Sequence, residues 1–254
     1  MDKLDFRESY PRLVESFKQA HGNEQAMKLS VGGEFEAIGF LELETLKHVG
    51  LREDSYLIDV GCGSGRLAKP LAQYLTGRYL GIDIVSELVN HARESVGRPD
   101  WRFELAKGLS IPEEDGTADM ICFFSVFTHL LHEQTYVYLQ DAKRVLKPGG
   151  RIVFSFLDFT IQGHWPVFES NVGDLGINFQ PLNMFISKDA IPVWADHLGL
   201  RIQLIEDGDK PFVPLSQPVV FENGTVVEKV GTIGQSICVL QKNREDQASD
   251  NQRP

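Results

Sequence analysis

The chain has 254 residues, a length that fits one α/β domain with insertions and is too short for two full-sized domains. Hydrophobic residues make up 42% and charged residues 24%, which is ordinary globular usage and excludes a largely disordered chain. The formal net charge of -11 disfavours nucleic acid as a partner, because no dense run of Lys and Arg offsets repulsion by the phosphates.

The cysteines and the N-terminus bear on the cellular compartment. Cys62, Cys122 and Cys238 lie far apart and are odd in number, which argues against a disulfide framework. Neither they nor the seven histidines show a metal-ligand spacing, so no metal is expected. The N-terminus has no apolar signal-peptide core, and no stretch of about 18 apolar residues could cross a bilayer. We therefore expect a cytoplasmic protein that does not bind membranes.

Residues 1–50 are predicted to form a helical flank in front of the main domain. Tyr10, Leu13 and Phe17 fall near helical spacing, and further apolar positions follow at that spacing. Residues 31–39, VGGEFEAIG, contain a glycine pair that either borders a ligand or forms the turn at a helix start.

From residue 51 to 242, short apolar runs alternate with amphipathic stretches. The first five runs are apolar on both faces, as strands covered by helices on both sides must be. Helical patterns between them supply the crossovers. The order predicts a Rossmann-like, doubly wound α/β fold with a mostly parallel seven-stranded sheet and helices on both faces. The runs lie at 57–60, 79–84, 101–105, 118–124 and 151–157, and the helical patterns near 65–75, 86–95 and 133–146.

Residues 158–187 are predicted to form an insertion after the fifth strand. The segment is too long for a simple connection, so we expect it to cover the substrate. Its aromatic residues, together with one that precedes it, either line an apolar acceptor pocket or pack in the core. These residues are Phe127, Phe159, Trp165, Phe168, Phe179 and Phe185.

The remainder of the chain restores the alternation. A helix near 188–198 and a strand near 200–206 are followed by a second insertion at 211–234, where an Asn-Gly dipeptide between apolar runs predicts a hairpin. A final strand follows near 235–241. Residues 243–254 are polar and are expected to be a disordered tail.

The most specific segment is 57–67, where a buried strand leads into a glycine-rich turn that opens a helix. Glycines at such a turn let backbone N–H groups and the helix N-terminus approach a ligand closely, because no Cβ stands in the way. Asp83 ends the next strand, 22 residues after Gly61, where a carboxylate can accept hydrogen bonds from both ribose hydroxyls of a nucleoside. The sequence therefore predicts an adenosine-type site at the carboxyl ends of the first two strands.

Four motifs follow one another along the first five predicted strands. They are D-x-G-x-G-x-G at 59–65, GIDIVSELV at 81–89, IPEEDGTADMI at 111–121 and RVLKPGGRIVFS at 144–155. In kind and order they resemble the motifs of the class I S-adenosylmethionine-dependent methyltransferases, over about residues 50–157. The resemblance implies S-adenosylmethionine as the cofactor and methyl transfer to a small molecule by in-line displacement.

The resemblance also assigns roles at the methionine end of the cofactor. Gly61, Gly63 and Gly65 would let the chain pass beside the methionine moiety, with Asp59 near its ammonium group or linked to it through water. The full expected set of cofactor-binding residues is Asp59, Gly61, Cys62, Gly63, Gly65, Asp83, Ile84, Lys107, Gly108, Leu109 and Ser125.

At the adenosine end, the resemblance implies that Asp83 binds the ribose hydroxyls and Ile84 packs on the adenine. Many relatives place an acidic residue where this chain has Lys107. Recognition of the adenine amino group is therefore expected from backbone groups around Lys107, Gly108 and Leu109.

His129 is the best placed candidate for a catalytic base. It lies in FSVFTHL, just past the fourth predicted strand, where it could take a proton from a hydroxyl or amine at neutral pH. Its alternative role is a packing or helix-starting histidine, and alignment of donor and acceptor needs no base. Asp158 and His164 are further candidates beyond the fifth strand.

Three other functions compete with this interpretation. A nucleotide-dependent oxidoreductase is opposed by Arg66, which stands where GxGxxG requires its third glycine. A nucleic-acid methyltransferase is opposed by the SVFTHL segment, which has neither an N/D-P-P-Y/F/W element nor a Pro-Cys nucleophile, and Cys122 inside an apolar strand should be inert. A non-catalytic S-adenosylmethionine-binding module stays open, because alignment catalysis leaves no obligatory catalytic residue.

Overall fold

The computed structural model describes residues 6–174 and 183–244, and these form a seven-stranded sheet. The strand order is β3-β2-β1-β4-β5-β11-β6, and every pairing is parallel except those of β11 with β5 and β6. The predicted Rossmann-like, mostly parallel sheet is therefore confirmed. Its strands are β1 (Leu57–Val60), β2 (Tyr79–Asp83), β3 (Arg102–Leu105), β4 (Ala118–Phe123), β5 (Leu146–Phe156), β6 (Leu200–Glu206) and β11 (Ser236–Lys242).

Helices cover both faces of the sheet. Neighbouring residues of one strand therefore pack into different cores. Leu57 packs into a core that includes side chains of α3, α4 and α5, whereas Ile58 packs into a core with α6 and α8. Fully buried strands of this kind need an apolar layer on each side. The helices are α1 (Phe6–His21), α2 (Asn23–Leu29), α3 (Phe35–His48), α4 (Ala68–Leu71), α5 (Ser86–Val96), α6 (His132–Val145), α7 (Trp165–Asp174) and α8 (Ala190–Leu198).

Two short hairpin-like pairs lie between β6 and β11. Strand β7 (Val213–Pro214) pairs with β10 (Val230–Gly231), and β8 (Val219–Val220) pairs antiparallel with β9 (Val226–Val227). Gly224 lies in the turn between β8 and β9 with φ of 84°, a conformation that glycine adopts without steric penalty.

Two predicted element boundaries differ from the structure. The helix expected near 65–75 is regular only over α4, and Pro70, which has no N–H, cannot bond back to the carbonyl of Arg66 in the turn before it. The fifth strand begins at Leu146 rather than 151. Its register against β4 shifts between Ala118 and Met120, so that Lys147–Gly150 form a bulge in which Gly149 has φ of 81°.

Some sequence expectations fall on residues outside the described ranges. Phe179 is one of them, and the expected tail at 243–254 is described only at its first two residues. Within the described ranges, no helix has both the length and the apolar character needed to cross a membrane.

Candidate active site

A cavity of about 570 Å³ opens at the carboxyl ends of β1, β2 and β4. This edge is where an open parallel sheet binds its ligands, because the strand order reverses between β1 and β4. The cavity brings together eight of the predicted residues, namely Asp59, Gly61, Cys62, Gly63, Asp83, Ile84, Ser125 and His129.

Four other predicted residues do not line this cavity. Gly65 instead allows α5 to approach the turn, since a Cβ there would lie 3.2 Å from the Cα of Ala92. Gly108 accepts a hydrogen bond from the Tyr138 hydroxyl at 3.1 Å through its carbonyl oxygen. Lys107 and Leu109 flank it, and on this side the cavity ends at Ala106.

The Asp83 carboxylate is fixed at the end of β2 by two backbone donors. The N–H of Gly63 donates to Oδ2 at 3.0 Å, and the N–H of Val85 donates to Oδ1 at 2.9 Å. Each oxygen keeps a lone pair that can accept from a ligand. Burial raises the pKa of Asp83, although these backbone donors lower it. The carboxylate is therefore held in one orientation at the cavity wall.

Asp59 lies deeper, on β1, and is almost fully buried. The Tyr79 hydroxyl donates to its Oδ2 at 2.8 Å, and the Cys122 thiol lies 3.6 Å from Oδ1. Burial is the largest influence and raises the pKa of Asp59 to about 7, while the Tyr79 hydrogen bond acts in the opposite direction. Burial also raises the pKa of the Cys122 thiol, so it stays protonated at neutral pH, as expected for an inert cysteine.

The glycine-rich turn lets two neighbouring segments close on the cavity. A Cβ on Gly61 would lie 2.3 Å from a methyl of Val126, and one on Gly63 would lie 2.4 Å from a methyl of Val31. Both glycines have positive φ, which residues with a Cβ rarely adopt. Larger residues at these positions would displace the cavity walls.

Helix α1 covers the cavity with one face. Phe6, Tyr10, Leu13 and Phe17 all line it, and they follow each other at helical spacing. The sequence identified this stripe as helical but did not show that it faces a ligand site, because core and ligand faces have the same periodicity.

Tyr10 and His129 meet across the cavity. The Tyr10 hydroxyl lies 3.3 Å from His129 Nε2, and the two rings are 5.2 Å apart in an edge-on arrangement. Burial, reinforced by the nearby Asp83 carboxylate, raises the pKa of Tyr10 to about 12. The phenol is therefore protonated at neutral pH, and the histidine tautomer determines which of the two groups donates.

Arg66 and Glu42 form an ion pair beside the cavity that the sequence did not reveal. Arg66 Nε donates to Glu42 Oε2 at 3.3 Å, its terminal nitrogen also contacts Oε1, and the same guanidinium donates to the carbonyl of Val31. The Glu42 side chain is 2% exposed and that of Arg66 is 11% exposed. The sequence signal for this pair was Glu42 itself, an acidic residue within the apolar stretch of α3.

Asp158 and His164 do not line the cavity. His164 is buried, its Nδ1 accepts from the Asp158 N–H at 2.9 Å, and its Nε2 lies 3.1 Å from the Gly234 carbonyl oxygen. Asp158 is fully buried and accepts from the N–H of Thr160 at 2.9 Å. These contacts hold loops together rather than a ligand site.

The predicted aromatic group divides into core residues and a separate cluster. Phe127 is fully buried and stacks on Phe123 at 4.7 Å between ring centroids. The others described are Phe159, Trp165, Phe168 and Phe185, which contact one another around α7 but do not line the cavity. Of the described residues of the predicted insertion 158–187, Asn183 reaches the cavity wall.

No group of His, Cys, Asp and Glu in the described part of the chain is arranged to hold a metal ion. The charged residues among those lining the cavity are Glu34, Glu42, Asp59, Asp83 and Arg66.

Residues 58–154 match the family model described as a methyltransferase domain. An O-methyltransferase from Penicillium expansum is 29% identical over 119 residues, which cover 44% of this chain and 42% of that protein. A ubiquinone biosynthesis O-methyltransferase from Maricaulis maris is 27% identical over 132 residues, covering 48% of this chain and 50% of that protein. The chain thus spans half or less of the length of these relatives.

Solved structures share the fold. A chain from the complex of the Haloferax volcanii Trm112 methyltransferase activator with a methyltransferase has a TM-score of 0.63 at 17% identity, covering 91% of this chain and 97% of that one. A methyltransferase from Methanosarcina mazei has a TM-score of 0.57 at 18% identity, covering 79% and 98%. The matched residues 58–154 carry the glycine-rich turn and Asp83, and this part of the chain is similar to methyltransferase domains.

Proposed function

We propose that the protein transfers a methyl group from S-adenosylmethionine to a small-molecule acceptor held in the same cavity. The observation that carries the proposal is that the glycine-rich turn, Asp83 and His129 line one cavity of about 570 Å³. That volume lies within the range of about 300–1,000 Å³ usual for small-molecule sites.

The residues present fit the cofactor. Asp83 offers two oriented acceptor oxygens to ribose hydroxyls, beside the backbone of Gly63. Asp59 supplies a carboxylate at the methionine end, and Ile84 adds an apolar surface for the adenine. When bound, the cofactor supplies an electrophilic methyl group on a sulfonium.

The remaining task of the protein is to align the acceptor, exclude water and remove a proton. Helix α1 covers the cavity with apolar side chains, which supports the exclusion of water. His129, within hydrogen-bond reach of the Tyr10 hydroxyl, is the proposed base for a proton leaving the acceptor. Asn183 supports the proposal that the segment at 158–187 contributes to the acceptor side.

A small acceptor with an oxygen nucleophile is the acceptor class that the similar proteins and His129 favour. Two similar proteins are described as O-methyltransferases, and a neutral histidine suits the deprotonation of a hydroxyl. The net charge of -11 speaks against nucleic acid. The three cysteines are free and buried, which supports a reducing, cytoplasmic location.

Cofactor binding is the first test. S-adenosylhomocysteine should raise the melting temperature of the protein, because a ligand of the native state stabilises it by mass action. Asp83→Ala should weaken binding by about 1.5–3 kcal/mol, roughly ten-fold to over a hundred-fold in Kd, since it removes charged hydrogen-bond acceptors. The exposed Asp209→Ala variant serves as the control and should bind like the parent. Unchanged binding by Asp83→Ala in calorimetry would refute the ribose assignment.

Turnover is the second part of that test. S-adenosylhomocysteine release should be measured with a panel of small hydroxyl-bearing compounds. Release that depends on one or more of them establishes the enzyme. Tight cofactor binding with no release across the panel would favour a non-catalytic binding module instead.

A further inference from the structure

Ser125 follows β4 in a conformation that serine rarely adopts. Its φ is 57°, in the left-handed region that is strained for a residue with a Cβ. Such strain persists where surrounding contacts over-determine it, and it clusters at functional sites. Ser125 lines the cavity, as does Gln235, which immediately precedes β11.

A closed cycle of hydrogen bonds holds Ser125, Ser155 and Gln235 together. The Ser125 N–H donates to Ser155 Oγ at 2.7 Å, the Ser155 hydroxyl donates to Gln235 Oε1 at 2.7 Å, and Gln235 Nε2 donates to Ser125 Oγ at 3.0 Å. We call these three residues the Ser-Ser-Gln cycle.

The direction of the cycle is determined by Ser155. This side chain is fully buried on β5, so its single hydroxyl hydrogen must find an acceptor within the protein. Gln235 Oε1 is that acceptor, and the amide nitrogen of Gln235 must then face Ser125. Reversing the amide would leave the buried Ser155 hydrogen without this partner.

Two donor hydrogens remain after the cycle is closed. Ser125 Oγ accepts from Gln235, so its own hydrogen is available, and Gln235 Nε2 has a second hydrogen. Within the described residues, no protein atom accepts a hydrogen bond from the Ser125 hydroxyl or from the second N–H of Gln235. The two donor atoms are 3.0 Å apart at the cavity wall, close enough to donate to one oxygen atom.

We propose that the Ser-Ser-Gln cycle selects a methyl acceptor that carries a neutral carbonyl oxygen, to which Ser125 and Gln235 both donate. The inference rests on the proposed methyltransferase function and specifies its substrate class. A carbonyl oxygen has two lone pairs and can accept both hydrogen bonds.

Charge favours a neutral carbonyl over a carboxylate. Both donors are uncharged, and the described charged residues around the cavity comprise four acids and one base. Arg66, the cationic side chain among them, is already paired with Glu42. A carboxylate acceptor would therefore meet net repulsion from the described charged side chains of the cavity.

The test compares matched phenols in protein saturated with S-adenosylhomocysteine. The 2-, 3- and 4-hydroxyacetophenones carry the carbonyl at three spacings, the corresponding ethylphenols lack it, and the hydroxybenzoates replace it with a carboxylate. Binding is measured by NMR titration, so the readout does not require turnover. At least one ketone should bind about ten-fold more tightly than its ethylphenol and its hydroxybenzoate, because two hydrogen bonds are gained.

Variants of Gln235 and Ser155 test whether the Ser-Ser-Gln cycle causes the preference for the ketone. Gln235→Met removes the amide donor without adding charge, Gln235→Glu replaces the donor with an acceptor, and Ser155→Ala removes the residue that positions Gln235. Each should lose the ketone preference while the Kd for S-adenosylhomocysteine changes less than about two-fold. The exposed Gln73→Glu variant controls for the added charge and should keep the preference.

Three results would overturn the inference. The first is a parent protein that shows no ketone preference for any isomer. The second is a preference that survives in Gln235→Met. The third is a loss of cofactor affinity in the cycle variants that matches the loss of ketone binding, because the cycle would then belong to the cofactor site. Failure of the parent to bind S-adenosylhomocysteine would instead refute the proposed function itself.

Discussion

At the scale of single residues, the contact between Tyr10 and His129 gives the proposed base a defined orientation. Their 3.3 Å separation joins the covering helix α1 to the short 3₁₀ turn Phe127–His129 after β4. Since the phenol stays protonated at neutral pH, its hydroxyl can donate to an unprotonated Nε2 or accept from Nε2–H, and the second arrangement is the one that leaves the other ring nitrogen unprotonated for base catalysis.

His129→Ala should lower turnover by about 10² to 10⁴-fold and leave cofactor affinity unchanged, because general-base catalysis contributes a factor of that size. Tyr10→Phe should lower turnover less, by roughly ten-fold, since it removes one orienting hydrogen bond. Single-turnover rates and the Kd for S-adenosylhomocysteine measure the two effects separately. His21→Ala, on the exposed end of α1, is the control. Full turnover in His129→Ala would show that alignment alone suffices.

At the scale of elements, the flank and the glycine-rich turn are joined by the pair of Glu42 on α3 with Arg66. Burial raises the pKa of Glu42, and the Arg66 charge lowers it. Gly39 permits the close approach of α3, because a Cβ there would lie 2.3 Å from the Arg66 carbonyl oxygen. The N-terminal helices are thereby fixed against the ligand-binding turn.

Glu42→Ala should reduce the free energy of unfolding by about 3–5 kcal/mol, because it leaves the Arg66 guanidinium largely buried without its partner. Urea unfolding measures this change. The matched control is Glu36→Ala, which breaks the pair with Lys28 at a Glu36 side chain that is 61% exposed, and its effect should stay below about 1 kcal/mol. Equal effects of the two variants would contradict the structural role assigned to Glu42.

At the scale of the whole molecule, burial of Asp59 couples stability to pH. Its pKa in the folded protein is about 7, against an ordinary value of 3.8. Between these two values the folded state binds more protons at Asp59 than the unfolded state does. Ionisation of this carboxyl group therefore destabilises the folded state as the pH rises.

Asp59 should thus make the free energy of unfolding fall as the pH rises from about 4 to 7, by at most ~4 kcal/mol. Asp59→Asn should remove that part of the slope, which urea unfolding at several pH values would reveal as a difference from the parent. The exposed Asp209→Asn variant should leave the slope as it is. Identical pH profiles for Asp59→Asn and the parent would show that Asp59 ionises normally in the folded protein.

The sequence by itself determined the sheet and one end of the site. Strands such as β1 were predictable because an apolar run bounded by turn residues is a local signal, and Asp83 was predictable because it ends such a run. The glycine-rich turn could be identified for the same reason, since its spacing lies within seven residues.

Only the tertiary structure decided what completes the cavity. Tyr10 and His129 are 119 positions apart, Ser125 and Gln235 are 110 apart, and Glu42 and Arg66 are 24 apart. No local pattern records such pairs, because hydrophobic periodicity reports which face of a helix or strand is buried but not what that face meets. Packing of α1 and of the segment before β11 against the sheet edge brings these polar groups together.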